Sequence, residues 1–378
     1  MTTQELAARV WDFYRHFAAG AASGDKEGRR RLFLPARQYV LEKNRTFLER
    51  HSERLLEHIA SGFEVEPERM SPVVIPVATE RDSMLFRFAS LSWSVPVSSG
   101  YGRRLRFLVL DQHNEKLIGI LGLCDPVFNL ACRDRWIGWE VRQKEERLRS
   151  VMNAYVLGAV PPYSFLLGGK LVALLALSNE VRAEFRRRYR GQESVIKGRP
   201  HDGVLALITV TSALGRSSLY NRLKARGRTY YFRLGETAGW GHHHLSYNGL
   251  WEGLHALLEE AEDPLLKKHR YGCGPNWKFR LVRRALELLG LPEDVLRHEL
   301  KREVYAAPLG DNALAFLRGE ADRLEEYDWP TEHLFWIFRE RWLLSRARRT
   351  DAWRRFRREE FLGLVGLQGV RSERNECF

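Results

Sequence analysis

Cysteine is scarce: Cys124, Cys132, Cys273 and Cys377 are the four in 378 residues. None belongs to a Cys-x-x-Cys pair, so the spacing supports neither a zinc cage nor a disulfide framework, and buried free thiols are expected. Long apolar runs are missing as well. No stretch of about 18 uncharged apolar residues occurs, and no basic-then-apolar leader opens the chain, which points away from a membrane span or secretory signal and toward a cytoplasmic protein. No internal repeat or low-complexity linker stands out. Acidic residues are outnumbered, 48 Asp+Glu against 61 Lys+Arg, for a formal net charge of +13. A basic excess concentrates polyanions at the surface, and arginine, far commoner here than lysine, grips phosphate through its bidentate fork. DNA, duplex or single-stranded, is therefore the first partner to test, with an acidic protein as the alternative. What the chain does have is 44% hydrophobic residues, enough for a sizeable core shared by two or three domains.

Three regions follow from the patterning. Over residues 1–65, Thr2-Thr3-Gln4-Glu5 matches a capping box, and Leu6, Val10, Phe13 and Phe17 recur at helical spacing up to the Gly20–Gly24 region. Beyond Pro35, Leu41, Leu48, Leu55 and Ile59 form the apolar stripe of one longer helix. Residues 66–249 read as a mixed-sheet core. Val73–Val77, Met84–Trp93 and Leu105–Asp111 carry strand-type composition, and Gln112-His113-Asn114-Glu115 has the makings of a hairpin turn. The stretch from Val156 to Leu234 then reads strand, glycine turn, long helix, strand, short helix ended by Gly227, and strand. Residues 250–378 read as a basic helical region, making the chain α+β, with a mixed sheet, helices on both faces and helical regions at either end.

Several residues carry possible chemistry. Gly168-Gly169-Lys170 opens the long helix, where unpaired amides and the positive dipole end welcome an anion, although a Gly-Gly pair also suits a plain turn. Asp125 and Asp134 share a connection with Trp136 and Trp139 that suits either a pocket or a capped turn whose tryptophans close the core. Tyr220 lies on the short helix. His242-His243-His244 read as a strand would put only His242 and His244 on one face, so no metal is expected, and either can act as an acid or base. Near the C-terminus Arg341, Arg348 and Arg355 repeat every seven residues, and Arg349 widens the belt. A basic helix with interleaved tryptophan can lie against phosphates and stack on unpaired bases, or can be a solvated helix with its aromatics turned inward.

Gly119–Phe128, Arg133–Trp139, Gly168–Leu171, Gly235–Gly241, Pro308-Leu309 and Asn312 together resemble the DruA family of the Druantia anti-phage defence systems, whose domain also occurs fused to transposases. The resemblance spans roughly Arg104 to Gly319. It implies a defence setting, DNA as the object, and companion proteins of the same system. The central order of elements is also similar to the GNAT-type acyltransferase arrangement. On that likeness Gly168, Gly169 and Lys170 would hold a pyrophosphate and Tyr220 would act as general acid. Three functions stay open: a DNA-binding component, a nucleic-acid-modifying enzyme or nuclease using Asp125, Asp134, Tyr220 and His242, and a hub for partner proteins. No cofactor follows from the sequence.

Overall fold

A computed structural model describes residues 2–22, 25–98, 100–193, 198, 200–246, 249–269 and 277–367. Cys273, Cys377 and the expected break at 271–276 lie outside them. The core is a seven-stranded sheet of β1 (Pro72–Pro76), β2 (Arg104–Asp111), β3 (Lys116–Cys124), β4 (Val151–Ala159), β5 (Leu207–Thr211), β8 (Phe232–Glu236) and β9 (Glu303–Pro308), in the order β1-β2-β3-β4-β5-β9-β8. A separate small hairpin joins β6 (Lys224–Ala225) to β7 (Arg228–Thr229). Every neighbour pair in the large sheet is antiparallel except β4 and β5, which run parallel from Val151 opposite Leu207 to Ala154 opposite Val210. The run Leu207-Ile208-Thr209-Val210 is buried throughout, as a strand covered on both faces requires.

Two helical layers cover the sheet. The larger core sets β2, β3, β4, β5 and β9 against the helices Gly168–Leu175, Asn179–Tyr189 and Thr331–Phe338. The second packs Leu108, Leu117 and Val156 against Arg45–Leu56, Glu80–Ser90 and the C-terminal Phe356 and Phe361. A third cluster stands apart from the sheet: Leu6 and Val10 of the first helix, Thr3–Ala22, meet Leu250–Glu260 and Trp277–Leu288. The sheet thus takes β9 from beyond residue 249, and the first helix joins helices from the last third of the chain.

The capping box is present: Glu5 N donates to Thr2 Oγ1 at 3.2 Å, and Thr2 N donates to the Glu5 carboxylate at 2.7 Å. The hairpin turn after β2 is also where expected. Other local readings are corrected. Met84–Trp93 contributes to the helix Glu80–Ser90, not a strand, because Thr79 and Asp82 form a reciprocal cap at its start and Leu85, Phe88 and Ala89 face inward at helical spacing. The single helix expected after Pro35 is two, Leu34–Lys43 and Arg45–Leu56, parted at Asn44, whose amide turns back to Val40 O at 2.6 Å. The long helix after Gly168 is likewise two, since Ser178 restarts it by accepting from Val181 N. The short helix ends at Asn221, and Gly227 instead supplies the positive φ of the β6–β7 turn. His243–Ser246 is a 3-10 turn, so the strand argument for the histidines does not apply.

Candidate nucleic-acid interface

The helix Gly168–Leu175 follows β4 after a short turn whose last residue, Leu167, takes φ +63°. Its glycines answer to packing: a Cβ on Gly168 would lie 2.7 Å from Tyr163 O, and one on Gly169 3.0 Å from Leu219 Cδ1. Lys170 is then carried inward. Its Nζ donates to Leu219 O at 3.3 Å and lies 5.2 Å from the centre of the Trp342 ring. Burial, followed by the charges of Arg222 and Arg341, pushes its pKa down to about 8. Among the described residues, Lys170, Arg222 and Arg341 form no ion pair with a carboxylate. Arg222 and Arg341, both exposed, lie near enough for their charges to act on Lys170 beneath them, so this part of the surface carries cations that no carboxylate among the described residues pairs with.

The C-terminal helix extends that surface. Thr331–Phe338 passes through a π turn at Arg339–Leu343 into Leu344–Arg349, with Leu334, Ile337, Phe338 and Leu343 turned inward. Trp336 is exposed, and the Arg226 guanidinium lies 3.5 Å from its ring centre. Arg341, Arg348 and Arg349 are exposed and unmatched by a carboxylate among the described residues; Arg349 turns its Nε to Ser345 O. The expected seven-residue repeat stops there. Thr350 is extended, and Arg355, exposed and also unmatched, sits on the separate turn Ala352–Arg355. Parts of the belt are neutralised, Arg354 by Asp351 at 3.7 Å and Arg358 by Glu64 at 2.6 Å.

Asp125, Asp134, Tyr220 and His242 have four separate sets of neighbours. Asp125 accepts from Arg103 Nε at 2.7 Å, and that guanidinium also reaches Arg149 O and the His201 ring. Asp134 holds the fully buried Arg133 at 2.5 Å and Lys144 at 3.1 Å, while Arg133 donates to the carbonyls of Val127 and Phe128. The Asp134 connection is therefore a charge-locked turn, and Trp139 ties it to the neighbouring helix through Leu317 O at 2.6 Å. Tyr220 lies between Tyr231 and Tyr305, ring centres 5.1 and 5.2 Å away, and burial raises its phenol far above the ordinary range. It also borders a hollow of about 310 Å³ beside β4 and β5. His242 packs on Phe279, and burial, then Lys278, holds its pKa down to about 4.

Sequence reasoning missed Arg222, the Arg226–Trp336 stack and a polar cluster on β9. Glu303 accepts from Arg233 Nε at 2.6 Å and from Asn221 Nδ2 at 3.1 Å, and the Tyr305 hydroxyl donates to it. The alternation of Glu303 and Tyr305 along an apolar strand was the available signal. Among the described residues, no group of three His, Cys, Asp or Glu is placed to hold a metal ion, and no helix is long and apolar enough to cross a membrane. Cys124 and Cys132 are free thiols.

The family model for the Druantia protein DruA matches residues 23–319. The Druantia protein DruA of Escherichia coli (strain UMEA 4076-1) is 38% identical over 358 residues, covering 94% of this chain and 88% of that protein. No solved structure matches the chain. With a family model across most of its length and a relative aligned nearly end to end, the chain belongs to the DruA family of Druantia proteins.

Proposed function

We propose that this chain is the DNA-binding component of a Druantia anti-phage system, working in the cytoplasm beside other proteins of that system. The observation that carries the reading is the surface holding Arg222, Arg341, Arg348 and Arg349, with Lys170 buried beneath it, where none of these cations is paired with a carboxylate among the described residues. Arg355 adds a further exposed charge with no carboxylate partner among the described residues. Such a surface binds phosphates by releasing their counterions, so log affinity falls linearly with log salt. Fluorescence anisotropy with a labelled duplex tests it. Replacing Arg341, Arg348, Arg349 and Arg355 by Ala is expected to flatten the salt slope by about 3 to 4, at about 0.9 for each phosphate no longer neutralised. Background affinity for the duplex at low salt in the unsubstituted protein overturns the reading.

A second reading is favoured by the sheet itself. The order β1-β2-β3-β4-β5-β9-β8 with its one parallel pair is similar to the GNAT-type arrangement, and the 310 Å³ hollow bordered by Tyr220 lies beside that pair. On this reading the hollow takes an acyl-coenzyme arm, the helix entry at Gly168, Gly169 and Lys170 faces its phosphates, and a base in bound nucleic acid is the acceptor. Calorimetry with coenzyme A is expected to give saturable binding that weakens in Lys170→Met. Absence of heat at millimolar coenzyme removes this reading and leaves the first intact.

A further inference from the structure

Two glycines inside the sheet, Gly122 on β3 and Gly158 on β4, have aromatic rings lying on them. A Cβ on Gly122 would stand 2.4 Å from Tyr155 Cζ, and one on Gly158 2.2 Å from Trp93 Cζ2. Glycine within a strand commonly marks such a close approach. Here it lays two half-buried rings against the backbone as a floor. Above that floor is an open groove of about 720 Å³, on the sheet face opposite Lys170.

Five arginines line the groove: Arg37, Arg87, Arg104, Arg106 and Arg188. Among the described residues, Glu80 is the one carboxylate in the lining. The strand period accounts for two of the five. Leu108 and Leu110 of β2 join the second core, and Arg104 and Arg106 fall on the same face but stay exposed. Neutral acceptors hold three of them. Arg37 donates to Trp93 O and Leu364 O, Arg87 to Asn44 Oδ1 at 2.8 Å with Phe47 beneath it, and Arg106 to Ser83 Oγ at 3.3 Å. Carbonyl, amide and hydroxyl oxygens orient a guanidinium without cancelling its charge. Among the described residues none of the five forms an ion pair with a carboxylate. The groove therefore presents oriented donors and an uncompensated positive field, which is what lowers the ordering cost of binding an anion.

We infer that this groove binds a nucleoside phosphate, its phosphate on the guanidinium groups and its base against the Trp93–Tyr155 floor. Its volume lies within the roughly 300–1,000 Å³ typical of small-ligand sites, and a base paired within a duplex is stacked on both faces and has no free face to lay on the two rings. The occupant is a free nucleotide or the unpaired end of a strand, which share that chemistry. Aromatic stacking holds a base without reading sequence. The site is separate from the C-terminal belt and does not rest on it.

The test uses the full chain and a fluorescent dT hexamer, with and without a 5′-phosphate, and dTMP as competitor. Arg104 and Arg188 are exposed and their side chains make no hydrogen bond among the described residues, so Arg104→Ala/Arg188→Ala is expected to fold normally, checked by circular dichroism. The expected result is at least a tenfold loss of hexamer affinity, a salt slope shallower by about 1.4 at about 0.7 per phosphate, and duplex affinity changed less than twofold. A 5-iodouracil hexamer is expected to crosslink to the peptides carrying Trp93 or Tyr155. Displacement by dTMP assigns the groove to a free nucleotide, and displacement by the phosphorylated hexamer alone assigns it to a strand end. Unchanged hexamer affinity in the double variant, or crosslinks confined to residues outside the groove, overturns the inference. Duplex binding lost in the belt variant while hexamer binding persists separates the two surfaces.

Discussion

Lys170 is one residue whose environment sets a measurable pH dependence. Its folded pKa near 8 lies below the ordinary lysine value of 10.5. Between those values the unfolded chain holds a proton that the folded chain has released, so stability rises with pH across that window and the full penalty is present below pH 8. Replacing Lys170 by Met is expected to remove that rise, worth on the order of 1–3 kcal/mol, in urea unfolding at pH 7.5 and 10. The same deprotonation is expected to weaken duplex binding between pH 7 and 9 in the unsubstituted protein, with a smaller change in Lys170→Met. Asp134 poses a different question at the same scale. Removing its carboxylate strands Arg133, which is fully buried, and a broken buried pair costs about 3–5 kcal/mol. Asp134→Ala is expected to lower the urea midpoint accordingly. A variant that keeps its stability yet loses activity on nucleic acid would place Asp134 in chemistry and not in the turn.

At the scale of elements, the chain is legible where periodicity and chemistry agree. The β2–β3 hairpin, the Thr2 cap and the strand at 207–211 follow from turn residues, a reciprocal side-chain bond and a buried apolar run. It misleads where composition outweighs capping. Leu85-Phe86-Arg87-Phe88 is strand-like in residue type, yet Thr79 and Asp82 fix a helix start at Glu80. Thr79→Ala is expected to cost about 1 kcal/mol, read as a shift in thermal midpoint. Ser178, likewise a cap in the middle of an apolar pattern, divides what looks continuous. The candidate site is half legible. Lys170 and Arg341 both stand out in the sequence and lie near enough for the Arg341 charge to act on Lys170, but Arg222 comes from a different element, and no spacing within one segment brings it to them. The groove over Gly122 and Gly158 is invisible in the sequence for the same reason: its five arginines come from four segments and converge only through sheet register and helix packing.

At the scale of the whole molecule, the first helix and the helix Leu250–Glu260 pack on the turn His243–Ser246, beside two buried imidazoles. His244 and His298 are buried, their ring centres 5.5 Å apart, with Phe17 of the first helix against both. Burial, followed by His298, holds His244 at a pKa of about 3; burial, followed by Arg302, holds His298 at about 4. From pH 6.5 downward the unfolded chain takes up protons that the folded chain refuses, so stability falls with acidification through that range, by at most about 1.4 kcal/mol per pH unit for each histidine. Hydrogen exchange at pH 7 and 5 is expected to show the Thr3–Ala22 helix losing protection first, and His298→Phe is expected to blunt that loss.

The placement of β9 also governs how the protein is made. β5 leaves the ribosome with one side open, and the strand that covers it, which also anchors β8, is synthesised roughly a hundred residues later. At an elongation rate of about 5–20 residues per second that is a delay of about 5–20 s. For that interval the nascent chain displays an apolar strand edge able to pair with a neighbour on the same polysome, so this protein should depend on chaperones during synthesis far more than after release.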